Sequence, residues 1–157
     1  MKGVGSNGRT YDATVSDSAV IEQLFARCKR DHQRWINGDA GGYRFETEQA
    51  TLMGGFGGLV VGGSSATPRQ RRRTSQFESG EGDIELVASG LTGELAWLVM
   101  IERARVRFTN ADKPARWELR VTELFRREDS GWIRIHRHAD PLVDFHSLEE
   151  LTPLLSS

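Results

Sequence analysis

Two hydrophobic periods divide this chain. Between Ser16 and Gly38 one stripe of side chains, Val20, Ile21, Leu24, Phe25, Cys28, His32, Trp35 and Ile36, recurs at helical spacing and predicts an amphipathic helix of about five turns. Asp17 or Ser18 is the expected N-cap, and Asn37-Gly38 the stop. From Leu95 to Asp140 the period falls to 2, and three long strands follow one another across two polar turns, TNADKPA and DSG. The first, LAWLVMIERARVRF, sets Ala96, Leu98, Met100, Glu102, Ala104, Val106 and Phe108 on one face, so a lone carboxylate interrupts an apolar row. The second sets Glu118, Arg120, Thr122 and Leu124 against Trp117, Leu119, Val121, Glu123 and Phe125. The third sets Ile133, Ile135, Arg137 and Ala139 against Trp132, Arg134, His136, His138 and Asp140.

Isolated charges among apolar neighbours are expensive unless paired or wet, so Glu102, Arg120 and Arg137 are expected to converge on the floor of a polar-spotted pocket. The bland alternative makes them rim or dimer-contact residues, or makes Glu102 and Arg120 an ion pair that holds two strands in register.

Weaker signals fill the rest. Residues 1–15 are polar, glycine-spotted and aperiodic, and are expected to form a flexible tail, leaving 16–157 as a single domain. Asp39 to Tyr43 reads as a short helix or turn that returns Tyr43 over the ground the first helix covers. Glu46 to Met53 reads as a strand ending in the glycine-rich Gly54–Gly58, which lacks any phosphate-loop spacing and is expected to be a tight turn around Phe56. Thr67-Pro68-Arg69-Gln70 starts a predicted helix reaching about Phe77 and stopping near Gly80. Gly82 to Ser89 is a further strand, turned by Gly90–Gly93, and Ser147-x-x-Glu150 caps a short C-terminal helix.

Composition narrows the class. At 157 residues the chain is long enough to bury a core without staples, and its net charge of -1 gives no pull towards nucleic acid or an anionic membrane. One cysteine, Cys28, excludes an intramolecular disulfide, and its place on the helix stripe makes it a structural thiol. No run of about 20 apolar residues and no signal-type leader is present, so the expected compartment is the cytoplasm. His136-x-His138-x-Asp140 offers metal-type donors from one strand face, but same-face neighbours on one strand seldom complete a coordination shell. No metal or cofactor is expected.

The runs Trp35-Ile-Asn-Gly-Asp39, Thr51-Leu-Met-Gly-Gly-Phe-Gly-Gly58, Leu119-Arg-Val-Thr122, Phe125-Arg-Arg-Glu128 and Trp132-Ile-Arg-Ile-His-Arg-His-Ala-Asp140 resemble the SnoaL-like branch of the nuclear transport factor 2-like superfamily. Within it, they are similar to ketosteroid-isomerase homologues and to the association domain of calcium/calmodulin-dependent kinase II. The resemblance implies an α+β fold in which a cone-shaped, strongly curved, mostly antiparallel sheet wraps a long N-terminal helix, as in cystatin-like proteins. It also implies a homodimer formed through the sheet and a pocket at the cone's mouth. The kinase domain's pocket arginines correspond to Glu102, Thr122 and Ala139 here, and the steroid isomerases' aspartate and tyrosine set matches no residue of this chain, so neither chemistry carries over.

Two functional readings stand. In the first, the chain binds a small, partly apolar carbonyl or carboxylate compound, held by Trp35, Tyr43, Met53, Met100, Glu102, Arg120, Thr122 and Arg137. In the second, it is an enzyme of ketosteroid-isomerase or polyketide-cyclase type: Glu102 is the general base, provided its surroundings raise its pKa, Arg120 orients an oxygen, and His136 or His138 serves as acid if a strand bulge turns it inward.

Overall fold

The computed structural model describes residues 16–39, 43, 46–55, 57–62, 77–144, 147 and 150. One helix, α1 (Asp17–Ile36), precedes six strands: β1 (Thr51–Met53), β2 (Leu59–Val61), β3 (Phe77–Thr92), β4 (Leu95–Phe108), β5 (Ala115–Glu128) and β6 (Gly131–Pro141). They form one sheet in the order β2-β1-β6-β5-β4-β3. The four long strands pair antiparallel in sequence, as hairpin-length connections require, and β1 joins parallel to β6.

The helix forms where its stripe predicts, and its buried face is Leu24, Cys28, His32, Trp35 and Ile36. Its N-cap is Ser16, one residue earlier than expected: Ser16 is extended and its Oγ accepts from the Ala19 amide at 3.3 Å. That leaves Asp17 in the first turn, where a negative charge meets the positive end of the helix dipole. At the other end, Asn37 and Gly38 close the helix by backbone bonds to Arg34 and Trp35. Gly38 has φ +84, and a Cβ there would lie 2.4 Å from the carbonyl oxygen of Phe77, so only glycine lets the chain leave the helix against β3.

The helix packs across β3 and β4, and the core between them is Leu24, Ile36, Phe77, Leu98, Met100, Val106, Leu119, Val121 and Phe125 with their neighbours. Trp35, Phe77 and Trp117 meet edge to face at one end of that core, with ring centroids 4.8 Å apart for Trp35–Phe77 and 5.6 Å for Phe77–Trp117.

Several boundaries differ from expectation. Phe77 to Gly80 open β3 instead of ending a helix, because Phe77 pairs with Phe108 and fills the aromatic end of the core. The rest of the helix expected from Thr67 lies outside the described residues, as does Phe56. Gly90 belongs to the strand rather than the turn: it pairs with Trp97, and a Cβ on it would sit 2.6 Å from the indole. The turn is Gly93-Glu94, with Gly93 at φ +59. The strand expected over Glu46–Met53 is confined to Thr51–Met53. At the C-terminal side, the Ser147 amide donates to Glu150 Oε2 at 2.7 Å and the Glu150 amide to Ser147 Oγ at 3.3 Å, the reciprocal pair of a capping box.

Candidate functional site

Cross-strand partners share a face, so the register settles which charges turn inward. Glu102 pairs with Leu119, which puts Leu119, Val121, Glu123 and Phe125 on its side of the sheet. Arg120 pairs with Ile101 and Asp140 on the opposite side, and Thr122 lies there with it. The inward face of β5 is thus its apolar row, and the carboxylate in that row is Glu123. Arg120 does not converge with Glu102; its partner is Asp140, at the surface.

On β6 the pairing runs Phe125–Arg134, then Leu124–His136, so Ile135 is an extra residue. This bulge turns both Arg134 and Arg137 inward although they are three apart. His136 and His138 stay outward, opposite Leu124 and Thr122, and His136 Nδ1 lies 2.7 Å from the Thr51 hydroxyl. Met53, beside His138, is 39% exposed and takes no part in the interior, whereas Met100 is fully buried in the core.

What converges beneath α1 is a chain of ion pairs. Arg137 holds Glu102 with two parallel bonds of 2.9 Å and reaches Glu123 at 2.7 Å through the same Nη1. Arg134 bonds the other oxygen of Glu123 at 2.7 Å and Asp31 of α1 at 2.7 Å. Arg27 extends the chain outward to Asp31 and Glu46. Tyr43 closes it from above: its hydroxyl donates to Glu102 at 2.9 Å, and the Arg137 guanidinium lies 3.9 Å from its ring centre. The Cys28 thiol donates to Glu123 at 3.3 Å. Glu102, Glu123 and Arg134 are wholly shielded from solvent, and Arg137 nearly so.

Burial alone would push the pKa of Glu102 up, as the enzymatic reading requires. The Arg137 charge, together with hydrogen bonds from His32 and Arg137, overrides it and holds the carboxyl at about 2. Glu123 is likewise lowered, burial being outweighed by Arg134 and Arg137. Burial and the Glu123 charge push the Cys28 thiol well up, so it is a neutral, unreactive group, as its position on the stripe implied.

His32 is the least settled member. Its Nδ1 lies 3.4 Å from Glu102 Oε2 and 3.3 Å from the Tyr43 hydroxyl oxygen. Because that hydroxyl already donates to Glu102, both contacts ask for a proton on Nδ1. The other ring nitrogen, Nε2, is buried with no hydrogen-bond partner among the described residues. His32 also borders an open groove of about 300 Å³ between α1 and β3, formed with Lys29, Arg30, Gly82, Asp83 and Ile84.

Of the residues singled out from sequence, Trp35, Tyr43, Met100, Glu102 and Arg137 lie on the inner side, and Met53, Arg120, Thr122, His136 and His138 on the outer. Glu123, Arg134 and His32 were missed as site residues. Glu123 carried the same signal as Glu102, a lone carboxylate in an apolar row, and His32 stood on the helix stripe.

No protein-family model and no curated protein matches the sequence. Solved structures do match the fold. A protein from Salmonella enterica serovar Typhimurium superposes with a TM-score of 0.68 at 14% identity, over 84% of this chain and 97% of its own. It is described as a nuclear transport factor 2-like superfamily protein. The fold is nuclear transport factor 2-like. A cystatin-like domain of unknown function from Nostoc punctiforme matches at TM-score 0.63 and 14% identity, over 90% of this chain and 86% of its own. The association domain of C. elegans calcium/calmodulin-dependent kinase II matches at 0.57 and 10%, over 79% and 97%. At such identities the nuclear transport factor 2-like likeness is one of fold and selects no SnoaL-like branch within it. Among the described residues no helix is long and apolar enough to cross a membrane.

Proposed function

We propose that this nuclear transport factor 2-like chain is a small-molecule-binding domain, its ligand a small, partly apolar carbonyl or carboxylate compound seated between α1 and the sheet. The observation that carries the reading is the bidentate Arg137 clamp on Glu102. A general base near neutrality needs a free, weakly acidic carboxylate. Glu102 instead has both oxygens occupied and is held ionised at about 2, which suits a rigid wall better than a proton carrier. The test is native mass spectrometry against a panel of small carboxylic acids and ketones, with product analysis of the same mixtures. A one-to-one adduct recovered unchanged is the expected result. Absence of any adduct removes the binding reading, and conversion that is lost in Glu102→Gln restores the enzymatic one.

A second copy is the partner we propose for the outer face of the sheet. Trp97, Leu95 and Val87 are 40%, 48% and 56% exposed there or at its end, next to the partly covered Val99, Ile101 and Leu124. So much exposed apolar surface on one side of a sheet marks an interaction site. The similarity to kinase association domains supports the same reading. Light scattering is expected to give twice the chain mass, and Trp97→Glu combined with Val87→Glu to return it to a monomer.

A further inference from the structure

The groove between α1 and β3 combines features that the ion-pair chain behind it does not use. At its rim, Arg30 is exposed and has no ion-pair partner among the described residues, while Lys29 is held 3.2 Å from Asp83, whose side chain is 80% exposed. His32, whose buried Nε2 has no hydrogen-bond partner among the described residues, is one of the residues that line it. A buried ring nitrogen left without a partner is unfavourable, and among the described residues no atom satisfies it.

The charges behind it are also uneven. Among the described residues, the connected chain contains Arg27, Arg134 and Arg137 against Asp31, Glu46, Glu102 and Glu123, three guanidiniums facing four carboxylates. His32 is the next group in line, with Nδ1 against Glu102. A proton added at Nε2 balances the count and converts Nε2 from an acceptor into a donor aimed away from Glu102. Among the described residues, the charged or titratable groups about the ring are Cys28 and Lys29 on α1, Asp83 on β3, Glu102 on β4, Arg137 behind it on β6, and Tyr43.

We propose that this groove binds a small organic carboxylate: Arg30 and Lys29 meet its charge at the rim, one of its oxygens accepts from Nε2–H, and His32 takes up one proton as the ligand enters. Entry draws the half-exposed Lys29 chain off Asp83 and uncovers Nε2. The bound state is then an imidazolium bridging two carboxylates, Glu102 inside and the ligand outside. A volume of about 300 Å³ is enough for a single ring or a short chain. The proposal rests on the binding reading above and adds to it a site, a ligand class and a linked proton.

Isothermal titration of the whole chain with benzoate at pH 7, in PIPES and in Tris, tests it. Expected are one site per chain and a binding enthalpy that differs between the buffers in proportion to their ionisation enthalpies, with up to one proton taken up. Arg30→Ala, a change on an exposed side chain, is expected to weaken binding roughly tenfold, the effect of removing one charge contact of about 1.4 kcal/mol. His32→Gln is expected to weaken it further and to abolish the buffer dependence. Three results overturn the proposal: no benzoate binding at millimolar concentration, a buffer-independent enthalpy, or unchanged affinity in Arg30→Ala. The last, with benzoate still bound, puts the ligand elsewhere and leaves the binding function standing; if other acids or ketones bind and benzoate does not, the same division holds.

Discussion

The two faces of β4, β5 and β6 carry the same chemistry under opposite conditions. On the inner face, Glu102, Glu123, Arg134 and Arg137 are paired out of reach of water. On the outer face, Arg120–Asp140, Arg116–Glu118 and Arg126–Glu128 make pairs of similar geometry with every side chain 20–76% exposed. Distances alone would rate them equal. Solvent separates them, because an ion in the interior has already lost its hydration and depends entirely on its partner, whereas a surface ion falls back on water when the partner goes. Inner pairs therefore fix the structure, and outer pairs decorate it.

The sharpest way to break this contrast is Arg137→Met. It leaves Glu102 without its bidentate clamp and Glu123 without one of its two guanidiniums, both still buried. Removal of one member of a buried pair costs about 3–5 kcal/mol, so urea unfolding should show a loss of that size or no folded protein at all. A loss below about 1 kcal/mol would mean that water reaches these groups.

Acid provides the next largest effect. The ordinary value of the Glu102 carboxyl is 4.5 and the folded value about 2, so folding favours the ionised form. That contribution is complete above 4.5 and is lost as the pH falls towards 2, to the extent of about 3 kcal/mol from this group. Glu123 acts in the same direction. Urea midpoints measured from pH 7 downward should be flat until about pH 5 and then fall steeply. A midpoint that holds to pH 2.5 would show that Arg137 does not keep Glu102 ionised.

Much of this was legible in the sequence, and the failures have physical causes. The stripe of α1 and the alternation of β4 placed Glu102 correctly, because each pattern ran unbroken against apolar neighbours. On β5 the charges of Arg120 and Glu118 drew the inward face to the wrong side. The apolar row Trp117, Leu119, Val121 and Phe125 is the stronger signal, since burial of four such side chains outweighs the wish of one arginine to meet Glu102. On β6 a bulge at Ile135 shifts the phase, and nothing in a period of 2 announces where an extra residue will fall. The bulge was foreseen as a way to turn a histidine inward. It turns Arg134 inward instead, because Glu123 and Asp31 wait there to receive a cation.

The smallest expected effect sharpens the contrast from its other side. Arg120 bonds Asp140 in two places, through Nε at 3.2 Å and through Nη2, a bidentate pairing like that of Arg137 with Glu102. Its side chain is 53% exposed and that of Asp140 39%. Water screens this pair and solvates either partner once it is alone, so a double-mutant cycle over Arg120→Ala and Asp140→Ala should return a coupling of about 0–1 kcal/mol, reduced further by salt. If the coupling instead approaches that of the buried pairs, some second surface must cover the outer face in solution. The self-association proposed for that face supplies one. Repeating the cycle in the background of Trp97→Glu and Val87→Glu then separates the two causes, since a coupling that collapses with the dimer came from the partner copy and one that persists belongs to the strand pair itself.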